Sequence, residues 1–186
     1  MNVNPWATPA EAPPLPAPIP NPDPSVWREL KSLGIKIAVI VGSALLIFTF
    51  VYGLHRGADP GMNPSVKDGD LVIYYRLNKK YHAGDLVLLP FQGKSQVRRV
   101  IATAGDTVDI NGEGLVINGA LQQERNINSH TQRYAEGTAF PLTLREGQVF
   151  VLGDARENAA DSRLYGPVNI KDTQGTVIAI LRRRNL

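Results

Sequence analysis

Polar and proline positions without period open the chain, one long apolar run follows, and short apolar stretches broken by turn residues complete it. Ile37 to Leu54 is uncharged and mostly apolar over 18 residues. Leu33 to Ile35 extend it if Lys36 reaches outward along its aliphatic stem. At 1.5 Å per residue such a helix covers about 30 Å, the hydrocarbon thickness of a bilayer. The run predicts a membrane anchor, with lipid as the partner of residues 37–54. A cleaved signal peptide is the competing reading. The apolar stretch is too long for its hydrophobic region, the leader before it is unusually long, and no convincing small-x-small site follows.

Beyond Asp68 the pattern changes to strand-length runs. Leu71 to Tyr75, Asp85 to Leu89, Val97 to Ala102, Leu115 to Ile117, Gln148 to Leu152 and Thr176 to Leu181 read as strands. Asp68-Gly69, Ala83-Gly84, Asn111-Gly112, Asn118-Gly119 and Glu146-Gly147 lie between them as turns. Asn118-Gly119, set between Val116-Ile117 and Ala120-Leu121, is the strongest hairpin signal. Nothing after the anchor has a convincing helical period. The expected fold class is mainly β, an antiparallel domain behind one N-terminal transmembrane helix.

Nine of the first 24 residues are proline, which excludes a helix or a sheet ladder there and predicts an extended or disordered segment. It reads as a spacer or tail rather than a ligand for a proline-binding partner, since its composition carries no specific motif. The expected boundaries are residues 1–27 for the tail, 28–56 for the anchor and 57–186 for the β domain. Arg28, Lys31 and Lys36 flank the anchor on one side, against Arg56 and His55 on the other. That bias places the N-terminus in the cytoplasm and the β domain outside the cell membrane.

Composition removes several function classes. The net charge is +3 and the pI about 9.3, but the basic residues are scattered without an aromatic-basic stripe, so no nucleic-acid partner is expected. There is no cysteine, which excludes disulfides, thiolate catalysis and cysteine zinc sites. His55, His82 and His130 are widely separated and lack ligand spacing, so neither metal nor other cofactor is expected. Nothing in the pattern fixes an oligomeric state.

Four segments carry the chemistry. They are Gly61-Met62-Asn63-Pro64-Ser65-Val66 with Lys67-Asp68-Gly69-Asp70, then Gly84-Asp85-Leu86-Val87-Leu88, then Gln96 to Asp106, then Gly153 to Arg163. In this order, behind an apolar span, they resemble the boxes of type I signal peptidases, membrane-anchored serine proteases with a Ser-Lys dyad. The resemblance covers about two-thirds of the chain. It implies two antiparallel sheets with a groove for an extended peptide near Asp59, Gly61, Met62, Asn63, Leu86, Gln96 and Val97. It also implies that the family nucleophile falls at Gly61, the general base at Arg98, the base-orienting serine at Ala159 and an oxyanion-supporting serine at Asp59. Ala155 stands where the family has Asn. A glycine offers no nucleophile, a guanidinium cannot take a proton, and a carboxylate at Asp59 would repel a developing oxyanion.

Asp154, Arg156, Asp161, Ser162 and Arg163 keep the family's places and read as a structural polar network under the site. Ser65 is the obvious substitute nucleophile, with Lys67 as a conceivable base. In the family that position is a structural Thr, and a lysine in a charged turn is solvated and protonated. Arg182-Arg183-Arg184 reads equally as a lipid contact or a solvated end. The favoured reading is a non-catalytic relative that binds signal peptides or secreted, pilin-like clients in secretion or surface-fibre assembly. An active peptidase using a displaced nucleophile, and an engineered inactive form, are the alternatives.

Overall fold

A computed structural model describes residues 24–57, 59–124, 127 and 129–183, so residues 1–23 of the expected tail and Arg184 lie outside the described residues, while residues 24–27 of that tail are already helical. The chain divides into two compact units, residues 1–42 and 43–186. In the first, helix α1 begins at Pro24 and continues to Leu46. It has no proline after its first residue, so its backbone ladder is uninterrupted. Its large apolar side chains, Val26, Leu33, Ile37, Val39, Ile40 and Val41 among them, are exposed. The helix Ser25–Val51 contains an 18-residue stretch with a mean hydropathy of 2.3 and is long and apolar enough to cross a membrane.

The apolar run does not stay helical to Leu54, as the sequence pattern implies. A π-helical turn, Ile47–Val51, ends it, and Tyr52–Arg56 is strand β1. The reason is local. β1 pairs along its length with β2 (Leu71–Tyr75), from Tyr52 opposite Tyr75 to Arg56 opposite Leu71. Gly53 is where the Tyr74 ring crosses: a Cβ there would lie 2.2 Å from Tyr74 Cζ. Hydropathy alone cannot separate a membrane helix from an apolar strand joined to it.

The remaining strands are β3 (Leu86–Phe91), β4 (Lys94–Ala102), β5 (Thr107–Asn111), β6 (Gly114–Ile117), β7 (Ala120–Leu121), β8 (Leu142–Thr143), β9 (Gln148–Leu152), β10 (Val168–Asn169) and β11 (Gly175–Leu181). They form two antiparallel sheets. The larger has the order β1-β2-β11-β3-β4-β9-β10, and the smaller β7-β6-β5-β8. All six strands expected from the sequence are present, with ends moved by a few residues. The Asn118-Gly119 turn joins β6 to β7, with Ile117 opposite Ala120 and positive φ at both turn residues (52° and 81°). Strands β1, β5, β8 and β10 were not among the expected ones, and β7 is the second arm of the expected hairpin. Helix α2 (Ser162–Tyr165) is a single turn, capped by Asp161.

β3 is buried on both faces, which explains its unbroken Leu-Val-Leu-Leu run. Val87 and Leu89 pack with Tyr81, Val100, Val149 and Val151 on one side. Leu88 packs with Met62, Val66, Val72, Tyr74 and Val97 on the other. A third cluster, including Ala102, Val108, Ile110, Leu115, Phe150 and Leu152, joins the two sheets. Strand alternation on β4 then sends Arg98, opposite Val87, and Arg99, opposite Leu86, to different faces. That divergence organises the site.

Candidate functional site

Gly61 sits in a one-turn 3-10 segment, Pro60–Met62, just beyond β1. Its peptide is held at both ends. The Gly61 N–H donates to Asp59 Oδ1 at 3.0 Å, and the Gly61 carbonyl accepts from the Ala155 N–H at 3.0 Å. Space around it is closed: a Cβ would lie 3.0 Å from Arg98 Nη2, 3.1 Å from Asp59 Oδ1 and 3.2 Å from Ala159 Cβ. Gly153 repeats the condition, since its Cβ would be 2.1 Å from Ala159 Cβ and 2.5 Å from the Gly61 carbonyl oxygen. Gly61, Gly153 and Ala159 thus allow three backbone segments to close on one another.

Arg98 is only 1% exposed, and four of its N–H directions are taken. Nε donates to Ala160 O at 2.9 Å, Nη2 to Gln96 Oε1 at 2.7 Å, and Nη1 to Val97 O at 2.6 Å. Nη1 also forms an ion pair with Asp59 Oδ2. Gln96 in turn donates to the Tyr165 hydroxyl at 3.1 Å. Burial, the largest influence, pushes the pKa of that phenol well above its ordinary value, so it stays protonated.

Asp59 therefore behaves differently from its sequence-based reading. Its carboxylate does not stand free to repel an incoming group. It takes the Gly61 N–H and balances the Arg98 charge.

Ser65 belongs to the other face of β4. Arg99 binds Asp154 through Nε at 2.8 Å and Nη2 at 2.6 Å, and Nη2 also reaches Ser65 Oγ at 3.2 Å. Burial would raise the Asp154 pKa. The Arg99 hydrogen bonds and charge, with help from Ser65 and Arg156, outweigh it and hold the carboxyl below its ordinary range. The serine hydroxyl is thus a partner of an ion pair. Lys67 is exposed.

The residues expected as a polar network do lie together. Asp161 is fully buried, takes the Gly153 N–H at 3.0 Å, and pairs with Arg163 at 2.8 Å and 2.9 Å. Ser162 Oγ accepts the Val151 N–H at 3.0 Å. Arg156 donates to Thr131 at 2.8 Å and Glu124 at 2.5 Å, and also to the Gly153 carbonyl. Arg163 reaches the Tyr134 hydroxyl, which donates to Ala159 O at 2.7 Å. Glu124, Thr131, Tyr134 and Tyr165 had no sequence signal. The first three come from the long connection between β7 and β8, which carries no motif of its own.

The expected groove residues are split. Met62, Gln96 and Val97 are buried, whereas Asn63 is exposed and Leu86 packs against the Met62 cluster. Between His55, Gly57, Asp59, Met62, Val66 and Val97 lies a crevice of about 10 Å³. Backbone edges remain beside it. β1 ends its sheet, and β4 pairs with β9 only from Arg99 onward, leaving Ser95–Arg98 without a strand on that side. His55 is half-buried, and burial lowers its pKa. His82 and His130 are exposed, and no group of acidic or histidine side chains is set to hold a metal among the described residues.

A family model described as signal peptidase, peptidase S26, matches residues 30–182. Signal peptidase I of Bacillus licheniformis is 32% identical over 155 residues, which cover 76% of this chain and 82% of that protein. A Synechocystis protein named "Probable signal peptidase I-1" is 30% identical over 159 residues, covering 78% and 79%. The crystal structure of a signal peptidase I from Enterococcus faecalis V583 is 32% identical, covers 54% of this chain and 97% of its own, and has a TM-score of 0.44.

Proposed function

Because this chain belongs to the signal peptidase family, peptidase S26, we propose that it is a membrane-anchored member that binds signal peptides or other extended segments of secreted clients without cutting them. Its role then lies in secretion or in assembly of a surface fibre such as a pilus. The tail faces the cytoplasm and the β domain lies outside.

The observation that carries the reading is the Asp59–Arg98 pair over Gly61. Peptide hydrolysis by a serine and a lysine needs a hydroxyl to attack and a neutral amine to take its proton. Gly61 supplies no attacking atom. Arg98 stays protonated at any physiological pH and is fixed by four acceptors, so it has neither a lone pair nor freedom to act as a base. The Gly61 N–H, the natural donor to a tetrahedral oxyanion at this place, is bound to a carboxylate instead. Three requirements of acyl transfer thus fail at one point. What supports a binding role is that the scaffold and the unpaired strand edges beside it remain, and strand addition needs only those.

A displaced nucleophile at Ser65 draws less support, because that hydroxyl is held between Arg99 and Asp154 with no neutral base named beside it. The test is a preprotein cleavage assay with the full chain in detergent. Wild type and Ser65→Ala are expected to give the same background rate. Cleavage by wild type that Ser65→Ala abolishes would establish the displaced nucleophile and end the binding-only reading. The double variant Gly61→Ser, Arg98→Lys is expected to remain inactive, since Asp59 and Ala159 are unchanged and groups that act as a unit do not recover piecemeal. Turnover by that variant would mark the chain as a disabled peptidase instead.

A further inference from the structure

The groups that hold the Asp59 carboxylate belong to the framework, while the carboxylate belongs to a side chain at the surface. Arg98 is 1% exposed and pinned on β4 by Ala160 O, Val97 O and Gln96 Oε1. Gly61 is buried, with its carbonyl tied to Ala155. Asp59, by contrast, has 29% of its side chain exposed. Its oxygens are bound separately, Oδ1 by the Gly61 N–H at 3.0 Å and Oδ2 by the Arg98 guanidinium. The result is a two-point cradle for a carboxylate, filled from within the chain.

We propose that this cradle receives the C-terminal carboxylate of an extended peptide ending in a small side chain, and that Asp59 is the internal stand-in displaced by it. The exchange preserves charge at the arginine. One carboxylate leaves for solvent as another arrives, so Arg98 is never left buried without a counter-charge. An uncut chain cannot do this, because an internal amide carbonyl brings no charge and would strand the guanidinium. The site therefore discriminates between a free chain end and a continuous chain.

The size limit comes from the adjoining crevice. At about 10 Å³ between His55, Met62, Val66 and Val97 it takes little more than a water-sized or methyl-sized group. The edges of β1 and of Ser95–Arg98, which have no neighbouring strand there although Val97 O is taken by Arg98, supply backbone partners for the residues before the terminus. Endoproteolysis after a small residue is the class of reaction that generates such a ligand. The inference rests on the peptide-binding reading above and adds to it the chemistry of the chain end.

The experiment compares two forms of one labelled peptide ending in Ala-Gln-Ala, the free acid and the C-terminal amide. Fluorescence anisotropy measures binding to the full-length protein in detergent micelles. With Asp59→Ala the acid is expected to bind about tenfold tighter than the amide, the worth of a charge-assisted hydrogen bond. In wild type the preference has the same direction but is smaller, because Asp59 competes. Arg98→Met is expected to erase it, with circular dichroism confirming that the variant is folded. If Arg98→Met does not fold, the acid-to-amide ratio in Asp59→Ala and wild type decides alone. Equal affinities for the two peptides in folded Asp59→Ala overturn the carboxylate site while leaving peptide binding intact. Failure of both peptides to bind either protein overturns the peptide-binding reading as well.

Discussion

At the scale of the residue, the decisive quantity is the free space at position 61. A side chain there would meet Arg98, Asp59 and Ala159 at 3.0–3.2 Å, tighter than ordinary contact, and the two charged neighbours are committed to each other. Gly61→Ser alone is therefore expected to lower stability by about 1–3 kcal/mol through overpacking, read as a lower urea midpoint with an unchanged slope. A Gly61→Ser protein as stable as wild type would mean that the site opens more easily than its contacts imply. The sequence draws attention to Gly61, Arg98 and Ala159 because each falls in a recognisable box, and the structure brings the three together. The Asp59–Arg98 pair was not legible in the sequence. The two residues are 39 positions apart, and nothing short of the packing of β1 and β4 brings them together. Seen singly, Asp59 looked like an obstacle to an oxyanion. Seen in place, it is the counter-charge of a buried arginine.

At the scale of the element, the boundary between anchor and β domain has practical weight. The pattern of apolar positions assigns Tyr52 to Leu54 to the membrane run, yet they are the edge strand that covers β2. A truncation beginning at Gly57, the boundary the sequence implies, removes β1 and bares Val72 and Tyr74. One beginning at Ile47 keeps it. The shorter protein is expected to melt at a lower temperature or to aggregate on expression, and equal melting of the two would show β1 to be dispensable. The β6–β7 hairpin was legible to the residue, because Asn-Gly permits the positive φ at both turn positions. Asn118 adds a reason that the dipeptide does not carry: its side chain accepts the Thr107 N–H at 2.8 Å and donates to Asp106 at 2.8 Å. Gly119→Val forces a branched side chain to φ 81° and is expected to destabilise the fold by about 1–2 kcal/mol in thermal melting. Strands β7, β8 and β10 are two residues long, too short for any period to register, and only their partners define them.

At the scale of the molecule, stability should follow two hydrogen-bonded carboxylates, buried Asp154 and partly exposed Asp106. Both have pKa values held below the ordinary 3.8. For Asp106 the cause is chiefly the Thr103 N–H, then Asn118. A depressed carboxyl contributes stability that is present above its unfolded value and is lost as pH falls through the folded one. Unfolding free energy from urea titrations should thus fall below about pH 4, and less steeply in Asp154→Asn. His55 has the same sign, because burial disfavours its charged form, so a shallow loss begins near its ordinary value of 6.5. A profile that stays flat to pH 2, roughly the depressed range, would contradict this assignment. Topology is testable because the chain lacks cysteine. In intact cells, a single cysteine replacing exposed Lys94 should react with an impermeant maleimide, and one replacing Ser25 should not. The opposite labelling would invert the proposed orientation. The Asp59–Arg98 pair finally bears on descent. Folded domains hold about 5–15 kcal/mol in reserve, and breaking one partner of a buried pair removes about 3–5. Under the binding-only reading proposed above, a single step toward serine meets the crowded position 61, and a single step toward lysine gives up the hydrogen bonds of Arg98 to Ala160, Val97 and Gln96. The pair then acts as a ratchet that single substitutions do not easily turn.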